Sequence, residues 1–106
     1  MASQFAERVL ASIAAALEKY GEAVNQVLIW NFEKETKLGA ADIARKPQEF
    51  VNCIYRIFGP SGAAIERNIT EEVCKEFKLE CAGVPGFVKV VEMARSKVLR
   101  EELTDE

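Results

Sequence analysis

The chain has 106 residues, 49% of them apolar and 29% charged, with fourteen Lys and Arg against seventeen Asp and Glu for a formal charge of −3. That length leaves room for one domain, with too much to bury for a disordered chain and too much charge for a membrane protein. Histidine is absent, which removes the usual general base and the commonest metal ligand at the outset.

The longest charge-free stretches, 9–17, 23–32 and 57–65, fall well short of the roughly 20 apolar residues that span a bilayer, so no membrane partner is expected. Glu7 and Arg8 stand where a secretion signal would begin its apolar run, and the chain is expected to be cytoplasmic. Cys53, Cys74 and Cys81 are an odd number at spacings that fit neither a disulfide framework nor a zinc motif. Reduced thiols are the expectation. A Cys74–Cys81 bridge is the alternative, suited to a source such as a hyperthermophile, where intracellular disulfides form.

Gly and Pro divide the chain into helical segments. The first covers about 3–20: Phe5, Val9, Ile13 and Leu17 recur every fourth residue, Ala6, Leu10, Ala16 and Tyr20 widen the face, Ser3 caps it and Gly21 ends it. The second covers about 22–38, with Val24, Val27, Leu28 and Leu38 inward and Gly39 as the stop. Ile29 and Trp30 project away from that stripe, and a helix apolar around most of its girth is either central or partnered. One helical turn is expected near 41–46. Pro47 opens the third segment, Gly59 closes it, and Phe50, Val51, Ile54, Tyr55, Ile57 and Phe58 make it the strongest core helix.

After the turn Gly59-Pro60-Ser61-Gly62, the fourth segment runs to Lys78 on a narrow row of Ile65, Ile69, Val73 and Phe77, which suggests an edge helix. Glu33 with Lys37 and Glu71 with Lys75 have the helix-supporting acid-before-base order. The last segment covers about 87–103, with Phe87, Val90, Val91, Ala94 and Val98 inward. Val84 to Val91 is rich in strand formers, but a lone strand has no partner and helix is preferred. The fold class is therefore all-α, a compact bundle of about five helices joined by short loops in a single domain, 1–106.

Catalysis finds little support. Cys53 flanks the apolar face of its helix, where a free thiol is ordinarily buried and inert, and Cys74 lies among Glu71, Glu72 and Glu76, which oppose a thiolate. Glu72 and Glu76 share a helix face, as carboxylates do on di-iron helices, but that chemistry needs a Glu-x-x-His element and there is no His, so a solvated acidic face is the better account. No catalytic residue, cofactor or metal is expected. The turn 59–62 outlines an anion site, yet Ala63 and Ala64 occupy the places of the phosphate-loop Lys and Ser/Thr, and Ser61 as a helix cap explains the turn.

Three binding readings remain. Ile29, Trp30 and Phe32, with Met93 and Leu99 from the last helix, are candidates for an apolar patch through which the chain pairs with itself as a homodimer. The third and fourth segments also outline a helix-turn-helix, in which Arg67 and Asn68 would meet base edges and Lys75 and Lys78 phosphates. Glu66, Glu71, Glu72 and Glu76 on the same helix oppose nucleic acid, and acids are mixed with bases in both halves of the chain. A third reading is a sensor holding a small apolar molecule near Tyr20, Trp30 and Tyr55.

Residues 42–50 and 57–69 carry a Pro followed three residues later by Phe (Pro47, Phe50), a Phe58-Gly59 hinge, and an Ile65-Glu66 pair opening the next helix. In these features the chain resembles a family of small uncharacterised archaeal helical domains, some described as output domains of signalling proteins. The resemblance spans about a quarter of the chain. It implies a regulatory or interaction role and no catalytic residues.

Overall fold

The computed structural model describes residues 4–83 and 85–104, with side chains as far as Glu101. Five α-helices occur among them: α1 (Gln4–Leu17), α2 (Glu22–Thr36), α3 (Pro47–Phe58), α4 (Gly62–Phe77) and α5 (Phe87–Thr104). Three 3-10 turns, Glu18–Tyr20, Ala40–Ala44 and Gly59–Ser61, join them, and no described residue is in a strand. The expected all-α bundle is what forms. Ser3, the expected cap of α1, lies outside the described residues, as do Val84 and the acidic ends Asp105 and Glu106.

Helix stops follow residue chemistry. Gly21 and Gly59 take positive φ, where a Cβ is costly. Lys37 and Lys78 end α2 and α4 in the left-handed conformation, so α2 stops before Leu38 and Gly39. Ser61 is corrected as a cap: it is itself helical and makes no side-chain cap bond. The 3-10 turn runs directly into α4, and the Gly62 N–H bonds back to the carbonyls of Gly59 and Pro60. Gly62 is needed for another reason. A Cβ there would lie 3.0 Å from Tyr55 Cδ1 and 3.3 Å from Ile54 Cγ2, so glycine lets α3 and α4 meet closely.

The core is lined by Val9, Ile13 and Leu17 of α1, Leu28 and Phe32 of α2, Phe50 and Ile54 of α3, Ile69 and Val73 of α4, and Phe87, Val90 and Val91 of α5. Rings of three helices run through it, with Phe32 to Phe50 at 6.1 Å and Phe50 to Phe87 at 5.4 Å between centroids. Ile43 and Ala44 of the 3-10 turn are buried against α1.

Helix α4 is not at the edge where the sequence placed it, and of the two readings of α2, central or partnered, the central one does not hold. Helix α4 is packed on α1, α5 and α3. Its narrow apolar row is widened by Gly62, Thr70 and Cys74, all buried, and the Thr70 hydroxyl is satisfied by donating to the Glu66 carbonyl at 2.8 Å. Helix α2 is the peripheral one, burying only Leu28 and Phe32.

Helices α1 and α4 are antiparallel: Arg8 pairs with Glu76 at 2.7 Å near one end, and Asn68 donates to the Tyr20 hydroxyl near the other. Helices α4 and α5 are parallel. The Phe87 N–H donates to Glu66 Oε2 at 3.0 Å, and ten residues on Lys97 Nζ donates to the carbonyls of Phe77 and Lys78 at 2.7 and 3.1 Å. A carboxylate thus meets the positive end of α5 and an ammonium the negative end of α4, both favourable to the helix dipoles. Cys74 and Cys81 are joined in a disulfide, with Cα atoms 6.4 Å apart. That corrects the expectation of reduced thiols for this pair, because the segment after α4 turns back along it. Cys53 is free and buried, as expected.

Candidate interaction surface

The residues proposed from sequence for an apolar patch separate on α2. At 100° per residue, Leu28 and Phe32 flank the core direction and Trp30 lies opposite them. Trp30 is 58% exposed and Val27 46%. Ala23, also exposed, continues the same strip toward the start of the helix. Phe32 is corrected: it is fully buried, edge-on to Phe50, and belongs to the chain's own core. Ile29 is half-buried against that core. Val27, expected inward, is outward instead. The Lys34 ammonium sits over the Trp30 ring, 4.8 Å from its centroid, and Asn31 donates to the Val27 carbonyl.

Leu99 is 52% exposed and Met93 half-buried on α5. Helix α5 packs on α4, α3 and α1, and α2 on α3 and α1. The described contacts therefore give no continuous patch joining the two outer faces, and the exposed apolar strip of α2 stands by itself.

The residues of the other two readings are engaged differently. Lys75 pairs with Glu72 at 3.1 Å, in place of the expected Glu71. Asn68 is held by Tyr20, Lys78 is the left-handed stop of α4, and Arg67 is exposed. Glu66, read from sequence as a repelling acid and as half of the Ile65-Glu66 pair, accepts from the Tyr55 hydroxyl at 3.0 Å as well as from Phe87 N–H. Tyr20, Trp30 and Tyr55 enclose no interior space, since all three are exposed. Burial pushes the Cys53 thiol above its ordinary pKa, with Arg56 opposing. The bond to Glu66 holds the Tyr55 phenol above its ordinary value.

No protein-family model, curated protein or solved structure matches the chain. What it does has to be read from its own surface. Among the described residues, no helix is long and apolar enough to cross a membrane, and no group of three or more Cys, Asp or Glu is placed to hold a metal ion.

Proposed function

We propose that the chain is a non-enzymatic helical interaction domain that works as a homodimer, a second copy packing on the outer strip of α2. The observation that carries this reading is Trp30, the single tryptophan of the chain, 58% exposed on the side of α2 opposite its buried residues. A tryptophan offers up to about 250 Å² of surface, so hiding the exposed part contributes about 3 to 4 kcal/mol per indole at ~25 cal/mol per Å². Two indoles and two Val27 side chains together offset an association cost of about 4 to 15 kcal/mol only narrowly. The dimer is accordingly a weak and reversible one, at the small end of the interface range.

The occupant is a second copy packed in antiparallel sense. The helix dipoles favour this sense. Centred between Val27 and Trp30, that pairing lays each indole on the partner's Val27. The resemblance of residues 42–50 and 57–69 to archaeal signalling output domains makes the proposed role of the dimer regulatory.

Sedimentation velocity from micromolar to millimolar concentration tests the reading. The wild type is expected to move from monomer toward dimer, and Trp30→Ala, with unchanged helical circular dichroism, to remain monomeric. A wild type that stays monomeric at the highest concentration would overturn it.

A further inference from the structure

Because α5 runs parallel to α4, the segment between them returns along α4. Glu66 and Phe77, which mark the two levels of α5, are eleven residues apart, about 16 Å at ~1.5 Å per residue. The returning strap is fastened near its upper end by the Cys81 bond to Cys74 and at its lower end by Phe87 N–H on Glu66. Leu79 N–H donates to the Cys74 carbonyl at 2.9 Å, and residues 82–83 form a turn. Lower down, Gly83, Pro85 and Gly86 face Ala63, Arg67 and Asn68 across an open cleft of about 650 Å³.

The α4–α5 pairing does not depend on the disulfide. Glu66 fixes the start of α5, Lys97 fixes its level at the end of α4, and Phe87, Val90, Val91 and Ala94 are fully buried between them. The disulfide closes only the short segment between Cys74 and Cys81. We propose that Cys74–Cys81 is a reversible redox clasp: oxidised, it pins the strap to α4, and reduced by a thiol reductant of the glutathione or dithiol class, it frees residues 79–83 and widens the cleft.

Cys81 is half-exposed and Cys74 is 8% exposed, so the incoming thiolate attacks Cys81 Sγ. The S–S bond breaks, and Cys74 leaves as a thiolate that takes up a proton. A second reductant thiol attacks the mixed disulfide and releases Cys81 as a thiol. Two reductant thiols become one disulfide, and the chain gains two electrons and two protons.

The test uses the full chain equilibrated with reduced or oxidised glutathione, with thiol labelling after denaturation and backbone hydrogen exchange before it. One label, on Cys53, is expected in the oxidised state and three in the reduced state. Reduction is expected to speed exchange of amides 79–83 at least tenfold while α1, α3 and α5 keep their protection, and reoxidation to reverse both changes. The double variant Cys74→Ser/Cys81→Ser should exchange like the reduced chain in either buffer. Three labels in both buffers, equal strap exchange in both states, or loss of protection in every helix on reduction would each overturn the proposal. The last result would make the bond a global staple.

Discussion

Replacing Glu66 by Ala removes the carboxylate that fastens three helices together. The variant loses the acceptor for Phe87 N–H at 3.0 Å and the acceptor for the Tyr55 hydroxyl, and it leaves the first amide of α5 without its partner. A hydrogen bond to a charged group contributes about 1.5 to 3 kcal/mol, and a carboxylate at a helix start about 0.3 to 1 kcal/mol more. Glu66 is half-buried, which places the expected loss near the lower end, about 2 kcal/mol. In a domain of this size that lowers the melting temperature by roughly 8 °C. Glu66→Gln keeps one uncharged acceptor and should lose about half as much. Urea unfolding followed by circular dichroism measures both, with Arg67→Ala, an exposed neighbour, expected within about 0.5 kcal/mol of wild type. If Glu66→Ala is as stable as Arg67→Ala, the parallel seating of α5 on α4 derived from Glu66 is wrong.

Phe32→Ala should cost about 3 to 5 kcal/mol in the same assay, because the ring is fully buried, while Trp30→Ala should cost under about 1 kcal/mol. Equal losses would contradict the division of α2 into an inner and an outer face. Lys97→Met, which keeps the apolar stem and removes both bonds to the end of α4, should cost about 1 kcal/mol and raise amide exchange in the last turn of α4. Alkaline pH should destabilise the chain through Cys53 and Tyr55, whose folded pKa values are both raised. The stability these two groups contribute is complete below their ordinary values of 9.0 and 10.0 and is lost as pH rises through the folded ones. Cys53→Ala with Tyr55→Phe should flatten the decline, and a decline of unchanged steepness would refute the assignment.

Helices α1, α3 and α5 were legible because their buried residues are large and apolar and recur at helical spacing, as Val9, Ile13 and Leu17 do in α1. The edge placement of α4 and the central reading of α2 failed for one shared reason. Counting large apolar residues overlooks Gly62, Thr70 and Cys74, which allow close approach or satisfy their own polar groups, and so it underrated α4. The same count overrated α2, where Val27 and Trp30 add apolar character on the side that faces away. Phe32 was assigned to the patch because it follows Trp30 in sequence, yet Leu28 four residues earlier already marked its face. The direction of α5 was hidden because a nine-residue connection fits either sense. The signal was present in a pairing of long range, an acid at Glu66 for the start of α5 and a base at Lys97 for the end of α4. Of the candidate surface, Trp30 was found from sequence, and its neighbours Val27 and Ala23 were not.

The lone indole reports on its own surface, so its fluorescence at increasing protein concentration tests the proposed pairing most directly. In dilute solution Trp30 should emit as a water-exposed indole and be readily quenched by iodide. With rising concentration the emission should shift to the blue and quenching should fall, both following the dimer fraction seen by sedimentation. Emission and quenching that stay constant while the chain dimerises would place the interface elsewhere, and constancy with no dimer at any concentration would contradict self-association itself.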